Sequence, residues 1–404
     1  MSQTNNLIIT PFFRFCKVKT TGMNVFNDRA IVKVDQDLRY TPECSHCGSK
    51  TKEVHSNTHR KIRDLSMTDK EVWLDANYRK VYCPICGTVR VEKQDYTGPY
   101  MRMTKRYERY VFDLCKKLTI TEVSEKTGLD WKTIKEIDKR YLEKEYPDTD
   151  YSDLRILAID EISLKKGRKY VTVIINFETG RVIWMGKGRS VASLYKFFRK
   201  MPAKIKNRIE AVATDMWAPY IKAFEDSCPN VKIVLDYFHI KKNYNKVLNK
   251  IRISEYRRVE NEGRAWIKGS RYILLKNYDN LREKEKKRLS KILEVNEMLS
   301  TAYILKEHLE QIFKSEDREQ VEKKITEWCA MALETDNTYL KNFVKSIRKH
   351  EEYILNHCEY PIHTSKLEGI NNKLKNIKRH AYGYIDMQYF ELKAKQAFPG
   401  KSTN

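Results

Sequence analysis

The period of apolar and polar positions changes three times along the chain and divides it into four blocks. Up to residue 100 the two alternate. Arg60-Lys-Ile-Arg-Asp-Leu and Val72-Trp-Leu-Asp-Ala-Asn-Tyr-Arg predict strands with one buried face. Residues 101–150 shift to helical spacing. Tyr107, Tyr110, Val111, Leu114 and Leu118 fall on one face of a first helix. Thr121 is expected to cap a second helix, Gly128 to supply the turn and Leu129 to plug the core. Asp130 is expected to cap a third helix, with Ile134, Ile137 and Tyr141 inward. Residues 151–240 alternate strands and helices, and 241–404 read as helical and rich in Lys and Glu. Tyr146-Pro-Asp-Thr-Asp150 reads as a linker, and Pro361 as a second break.

Composition adds the partner. The 404 residues carry 78 Lys and Arg against 54 Asp and Glu, a net charge of +24. Such an excess attracts polyanions and points to nucleic acid. At 41% hydrophobic residues the chain buries real cores, which excludes global disorder. No apolar run approaches the roughly 18 residues of a membrane span. The start, MSQTNNLIITPFFRF, shows no basic n-region or clear apolar h-region, so no signal peptide is expected. Nine cysteines, four of them in two tight pairs, do not form a disulfide framework and indicate a reducing compartment.

Those pairs carry the first chemistry. Cys44-Ser-His-Cys47 and Cys83-Pro-Ile-Cys86 are each followed by glycine, Gly48 and Gly87. Each C-x-x-C-G predicts a knuckle aiming two thiolates at one ion, and two knuckles complete a tetrahedral Cys₄ site for structural Zn²⁺. The strands between them account for the long spacing of a zinc ribbon. His46, His55 and His59 are expected at the surface. Cys16, Cys115, Cys228, Cys329 and Cys358 are read as ordinary small hydrophobes. The three helices that follow predict a helix-turn-helix. Trp131, Lys132, Thr133 and Lys135 stand at the start of its recognition helix, where base edges are reached.

The second chemistry is carboxylate. Leu154-Arg-Ile-Leu-Ala-Ile-Asp160-Glu161 reads as a buried strand ending in two acids. A hairpin follows, from Lys169 to Gly186 around a Glu-Thr-Gly turn, and then a helix from about Ser193 to Arg199. Ile209–Asp215 and Val231–Asp236 are two more strands ending in acids, with a helix after Pro219 between them. Acids at the ends of neighbouring parallel strands converge on one crevice. Packed carboxylates need a cation, and hard oxygens suit Mg²⁺ or Mn²⁺. Two such ions can activate a nucleophile and stabilise the leaving oxygen of a phosphodiester. The order β-β-β-α-β-α-β-α is that of an RNase-H-like core, whose further acid comes from a later helix. Residues 363–379 hold five Lys and Arg against one acid, Glu368, with Leu367, Ile370, Leu374 and Ile377 expected to face the sheet. The fold expected is multidomain α+β. A zinc ribbon (1–100) and helix-turn-helix (101–150) precede an RNase-H-like core (151–240 and 361–404), which an all-helical insertion (241–360) interrupts.

Ala158-Ile-Asp-Glu-Ile-Ser, Thr214-Asp-Met-Trp-Ala-Pro-Tyr220, Asp236-Tyr-Phe-His239 and the run from Glu368 to Tyr384 resemble the bacterial insertion-sequence transposases of the L-three group. The resemblance covers nearly the whole chain. It implies a DDE transposase with Asp160, Asp215 and Glu368 as the metal-binding triad, and a helical insertion before Glu368. It also implies double-stranded DNA as partner, both inverted repeats and target, in a bacterial cytoplasm and nucleoid. Pairing two ends implies a homodimer or larger assembly. Asp236 competes with Asp215 for the second catalytic place, and His239 either serves the site or caps the next helix. Lys242, Lys246 and Lys250 form a basic stripe expected to meet phosphate. Lys373, Lys375, Lys378 and Arg379 are further expected DNA contacts. Trp266 and Trp328 are read as core residues. A non-catalytic DNA-binding regulator and a nuclease that cuts without joining are the rival readings.

Overall fold

The structure, a computed structural model, describes residues 12–13, 15–98, 101–147, 150–165, 169–362, 365–381 and 383–400. Parts of the expected linker (148–149) and of the last motif (363–364 and 382) lie outside the described residues. The chain divides into two compact units, Met1–Pro147 and Asp148–Asn404.

The first unit opens with five strands, β1 (Val18–Val25), β2 (Arg29–Gln36), β3 (Val54–Met67), β4 (Lys70–Cys83) and β5 (Thr88–Val91). They form one sheet in the order β1-β2-β4-β3, with β5 also paired to β4. The 14-residue arms of the β3–β4 hairpin take up the long gap between the cysteine pairs. Its inner face buries Ile62, Val72, Leu74, Ala76 and Tyr78. Three helices follow: α1 (Lys105–Cys115), α2 (Ile120–Thr127) and α3 (Trp131–Glu145). Gly128 is left-handed at φ 69°, and Asp130 caps α3 through Lys132 N. Ile134 and Ile137 are buried, and Tyr141 stacks on Phe112.

Two expectations shift here. Thr119, not Thr121, caps α2. Its hydroxyl accepts from Glu122 N while the Glu122 carboxylate accepts from Thr119 N, a reciprocal box that Thr121, with no acid three residues on, cannot form. The buried face of α1 is Tyr107, Val111, Phe112 and Cys115, whereas Tyr110 is exposed. Phe112 was the stronger anchor in that window.

The first unit also buries an ion pair. Asp64 on β3 is fully buried and accepts from Thr104 Oγ1 and Arg106 Nε, each at 2.7 Å. Arg106→Met would strand that charge and cost about 3 kcal/mol, the lower end for a buried pair because the guanidinium is partly open to water. Urea denaturation of the full chain reads the loss. Adding Asp64→Asn should restore much of it, and a single variant as stable as wild type would refute the account.

The second unit is built on β6 (Ile156–Lys165), β7 (Lys169–Asn176), β8 (Val182–Lys187), β9 (Ala211–Thr214) and β10 (Lys232–Leu235), ordered β10-β9-β6-β7-β8. The β6-β7-β8 pairs are antiparallel, while β6-β9 and β9-β10 are parallel. Helices α4 (Val191–Lys200), α5 (Ala203–Lys206) and α6 (Ala218–Ser227) connect the strands. This is an RNase-H-like sheet.

Then come α7 (Tyr237–Arg258), α8 (Asn261–Ile267), α9 (Arg271–Leu275), α10 (Glu283–Val295), α11 (Glu297–Ile312), α12 (Arg318–Glu334), α13 (Thr338–Lys349) and α14 (Glu351–Leu355). The chain returns to the sheet with α15 (Ser365–His380) and α16 (Met387–Ala397). Strand alternation sorts the core. Leu157, Ile159, Val212 and Ile233 face α4, α6 and the inserted helices. Ala158, Ile162, Ala213 and Val234 face Leu367, Ile370 and Leu374 of α15.

Trp328 is core, its indole N–H donating to Leu305 O at 2.7 Å, but Trp266 is 41% exposed. The even Lys/Glu scatter around α8 had hidden which face is wet. Cys115, Cys228 and Cys329 are buried, whereas Cys16 is exposed.

Candidate active site

The first acid is not at the end of its strand. β6 runs on to Lys165, with Asp160 in its middle. The four-residue β9 pairs with β6 only as far as Ala158↔Ala213, so beyond it one edge of β6 stands open. Asp160 sits on that edge, and Asp215 directly follows β9. By alternation Asp160 points to the face that α15 covers, as do Ala158 and Ile162. Glu368, in the first turn of α15, reaches the same place.

Asp160, Asp215 and Glu368 thus line one cleft of about 630 Å³, together with Glu161, His239, Lys242, Lys246, Asn371 and Lys375. Burial pushes Asp160 and Asp215 up from the ordinary carboxylate range, and Glu161 likewise. Each of the two aspartates has its own tether. Asp160 accepts from Glu161 N at 2.7 Å and from Asn371 Nδ2 at 2.6 Å. Asp215 accepts from Trp217 N at 3.1 Å. The three carboxylates do not share a tight ligand sphere. Among the described residues only the four paired cysteines bring three or more ligand atoms within 4.8 Å of one another.

Asp236 is placed differently. It is 6% exposed and caps α7, accepting from Phe238 N at 3.1 Å. It does not line the cleft. His239 stands between the two competing acids, Nδ1 at 3.9 Å from Asp215 and Nε2 at 3.9 Å from Asp236.

Sequence reasoning missed two neighbours. Asn371, 3% exposed, holds Asp160, and its Oδ1 is buried with no hydrogen-bond partner. Its place three residues after Glu368, on the same helical face, was the available signal. Arg189 lies between the rings of Tyr170 and Trp217, 4.5 and 4.4 Å from their centroids, and pairs with Glu161 at 3.3 Å. No local pattern announces it.

The basic residues divide. Lys242, Lys246 and Lys375 line the cleft. Lys250 lies further along α7, over the Tyr339 ring. Lys373 and Lys378 donate to backbone carbonyls of Ala397, Ser163 and Leu164, so they hold α15 to the core, and Arg379 is exposed. In the first unit Trp131 and Lys132 are exposed at the start of α3, and Thr133 and Lys135 are half-buried.

The cysteine cluster fits a structural zinc. The Cys44 and Cys86 sulfurs lie 3.9 Å apart, and those of Cys47 and Cys83 3.4 Å. Gly48 and Gly87 adopt φ of 76° and 64°, which close the two knuckles without a Cβ penalty. His46, His55 and His59 are exposed, outside the cluster.

A zinc ribbon and helix-turn-helix, with an RNase-H-like core split by helices, define a transposase. Residues 157–394 match the transposase model of the ISL3 family. Residues 41–86 match the zinc finger of the IS204, IS1001, IS1096 and IS1165 transposases, and 97–142 the helix-turn-helix domain of the ISL3 transposases. The chain belongs to the ISL3 transposase family. It is 34% identical to the transposase for insertion sequence element IS1001 of Bordetella parapertussis, over 89% of each chain. It is 26% identical to the transposase for IS1557 of Mycobacterium tuberculosis, over 89% of this chain and 86% of that one. No helix among the described residues is long and apolar enough to cross a membrane.

Proposed function

We propose that this chain binds the terminal inverted repeats of its insertion sequence, cuts a phosphodiester bond at each end and joins the freed 3′-hydroxyls to target DNA. The observation that carries the reading is the convergence of Asp160, Asp215 and Glu368, from three distant points of the sequence, on one cleft with Lys242, Lys246 and Lys375.

Asp160, Asp215 and Glu368 would hold Mg²⁺ or Mn²⁺. The fit rests on their donor chemistry and on the two half-buried aspartates, whose charge a cation compensates. Such ions, when bound, supply the charge that makes an attacking oxygen nucleophilic and a leaving oxygen stable. The side chains do the rest. Asn371 and the Glu161 and Trp217 amides fix both aspartates. Lys242, Lys246 and Lys375 meet the phosphates. In cutting, a water oxygen bonds to phosphorus and the 3′-oxygen leaves. In joining, that 3′-oxygen attacks a target phosphate and displaces another 3′-oxygen. Each step exchanges one P–O bond, so no protein–DNA bond forms. His239 and Asp236 serve as accessories at the edge of the site.

The division of labour follows the expected domains. The ribbon (1–100) and helix-turn-helix (101–150) recognise the repeats, with Trp131, Lys132, Thr133 and Lys135 at the major groove. The split core (151–240 and 361–404) does the chemistry, and the insertion (241–360) guides DNA. Pairing two ends requires a dimer or larger assembly.

Labelled DNA carrying the element's own ends, incubated with Mg²⁺ and a target duplex, should yield both cut and joined products. Cut products alone would leave a nuclease. Binding of the ends with no cutting would leave a regulator.

A further inference from the structure

The catalytic cleft is not the only basic hollow on α7. A second groove, of about 590 Å³, lies between α7 and α9 and shares Phe238, Lys242 and Lys246 with the cleft. Its far wall adds Asn245, Asn249, Lys250 and Arg271. The volume is that of a site for one drug-sized ligand, enough for a nucleotide and too small for a duplex.

The chemistry of the lining is ordered. Lys242, Lys246 and Lys250 recur every four residues, about 6 Å apart along the helix. None of them, nor Arg271, is paired with a carboxylate. Lys246 meets only the neutral Asn243 amide and Lys250 the Tyr339 ring. Lys241 also lines the groove but is paired with Glu310. Beside the lysines runs a row of amides. Asn245 Oδ1 is buried with no hydrogen-bond partner. Asn249 Oδ1 already accepts from Arg252, which leaves its NH₂ to donate. The two amides stand one helical turn apart on the same wall of the groove. Phe238, 52% exposed, stands at the junction of the two hollows.

We propose that this groove holds an unpaired stretch of the DNA strand leaving the catalytic cleft, with one base stacked on Phe238 beside Asn245 and Asn249, and its phosphates held by Lys246, Lys250 and Arg271. A basic track with a stacking ring is what single strands bind. The proposal rests on the reading of the cleft as a DNA-cutting site. It places local strand opening at the transposon end on the inserted helices.

The test is a binding measurement with the full chain that needs no cutting. Three forms of the element's end are compared by fluorescence anisotropy: blunt, with a short single-stranded flank, and with a duplex flank of equal length. A 2-aminopurine in the flank reports stacking. Wild type should bind the single-stranded flank about tenfold more tightly than the blunt end, within the range for one stacked base, with quenched 2-aminopurine. Phe238→Ala should lose the quenching. Arg271→Glu, an exposed change at a residue that lines only this groove, should lose the tenfold preference, with blunt-end binding unchanged in both variants. Equal affinity for blunt and single-stranded flanks, or an equal gain from the duplex flank, would overturn the proposal. So would variants that keep both preference and quenching. Flank-independent binding by a protein that cuts its ends sinks the groove alone. Flank-dependent binding without any cutting sinks the cleavage reading alone.

Discussion

Alanine in place of Asp160, Asp215 or Glu368 should abolish cutting and joining of the element's ends by about 10³-fold or more, with end binding unchanged. Removing a metal ligand forfeits several kcal/mol of transition-state stabilisation, and each 1.36 kcal/mol is about tenfold in rate. Glu368 gives the cleanest arm. It is exposed in the first turn of α15, so its loss touches no core contact, and any lost rate is lost chemistry. Asp236→Ala should behave differently. Asp236 caps α7, and removing a cap costs about 1 kcal/mol of stability, so this variant should melt earlier yet still cut. Gel analysis of labelled ends beside a melting curve separates the two effects. A folded, inactive Asp236→Ala together with an active Asp215→Ala would move the second catalytic place to Asp236.

Much of this site was legible because its chemistry is written in local signals. A strand of Ala, Ile and Val interrupted by an acid is costly unless the acid has work, and Asp160 and Asp215 both break such runs. The helical phase of Leu367, Ile370 and Leu374 put Glu368 at the edge of the buried face, where it stands. What stayed hidden depends on register and on contacts between distant segments. The sequence shows acids near strand ends, but not that β9 stops beneath Asp160 and leaves an open edge beside it. Nor does it show that Asn371 spends its amide on an acid 211 residues away, or that Arg189 lies between two rings. The competition between Asp215 and Asp236 could not be resolved by spacing, because both follow apolar strands. The structure separates their positions, since Asp215 lines the cleft and Asp236 does not, although each accepts from the N–H two residues on.

Loss of zinc should be the largest single blow to the first unit. Structural zinc contributes roughly 10–16 kcal/mol in zinc-finger peptides, as much as the whole stability of a typical domain. The sulfurs crowd one another. The Ser49 hydroxyl, 3.1 Å from Cys83 Sγ, holds that thiol down to about 6, while Cys47 and its other sulfur neighbours push Cys86 up to about 12. A divalent cation removes the conflict. Because protons compete for the same thiolates, zinc should be released increasingly as pH falls. Chelation or Cys44→Ser should therefore unfold the ribbon and abolish binding of the inverted repeats, while the unit from Asp148 onward keeps its own thermal transition. His46→Ala should leave metal content unchanged, because His46 lies outside the cluster. Metal analysis of the purified chain, followed by calorimetry with and without chelator, measures each point. A metal-free chain with the same two transitions and the same affinity for its ends would mean that the cysteines are simply buried thiols and that the sheet alone holds the ribbon together.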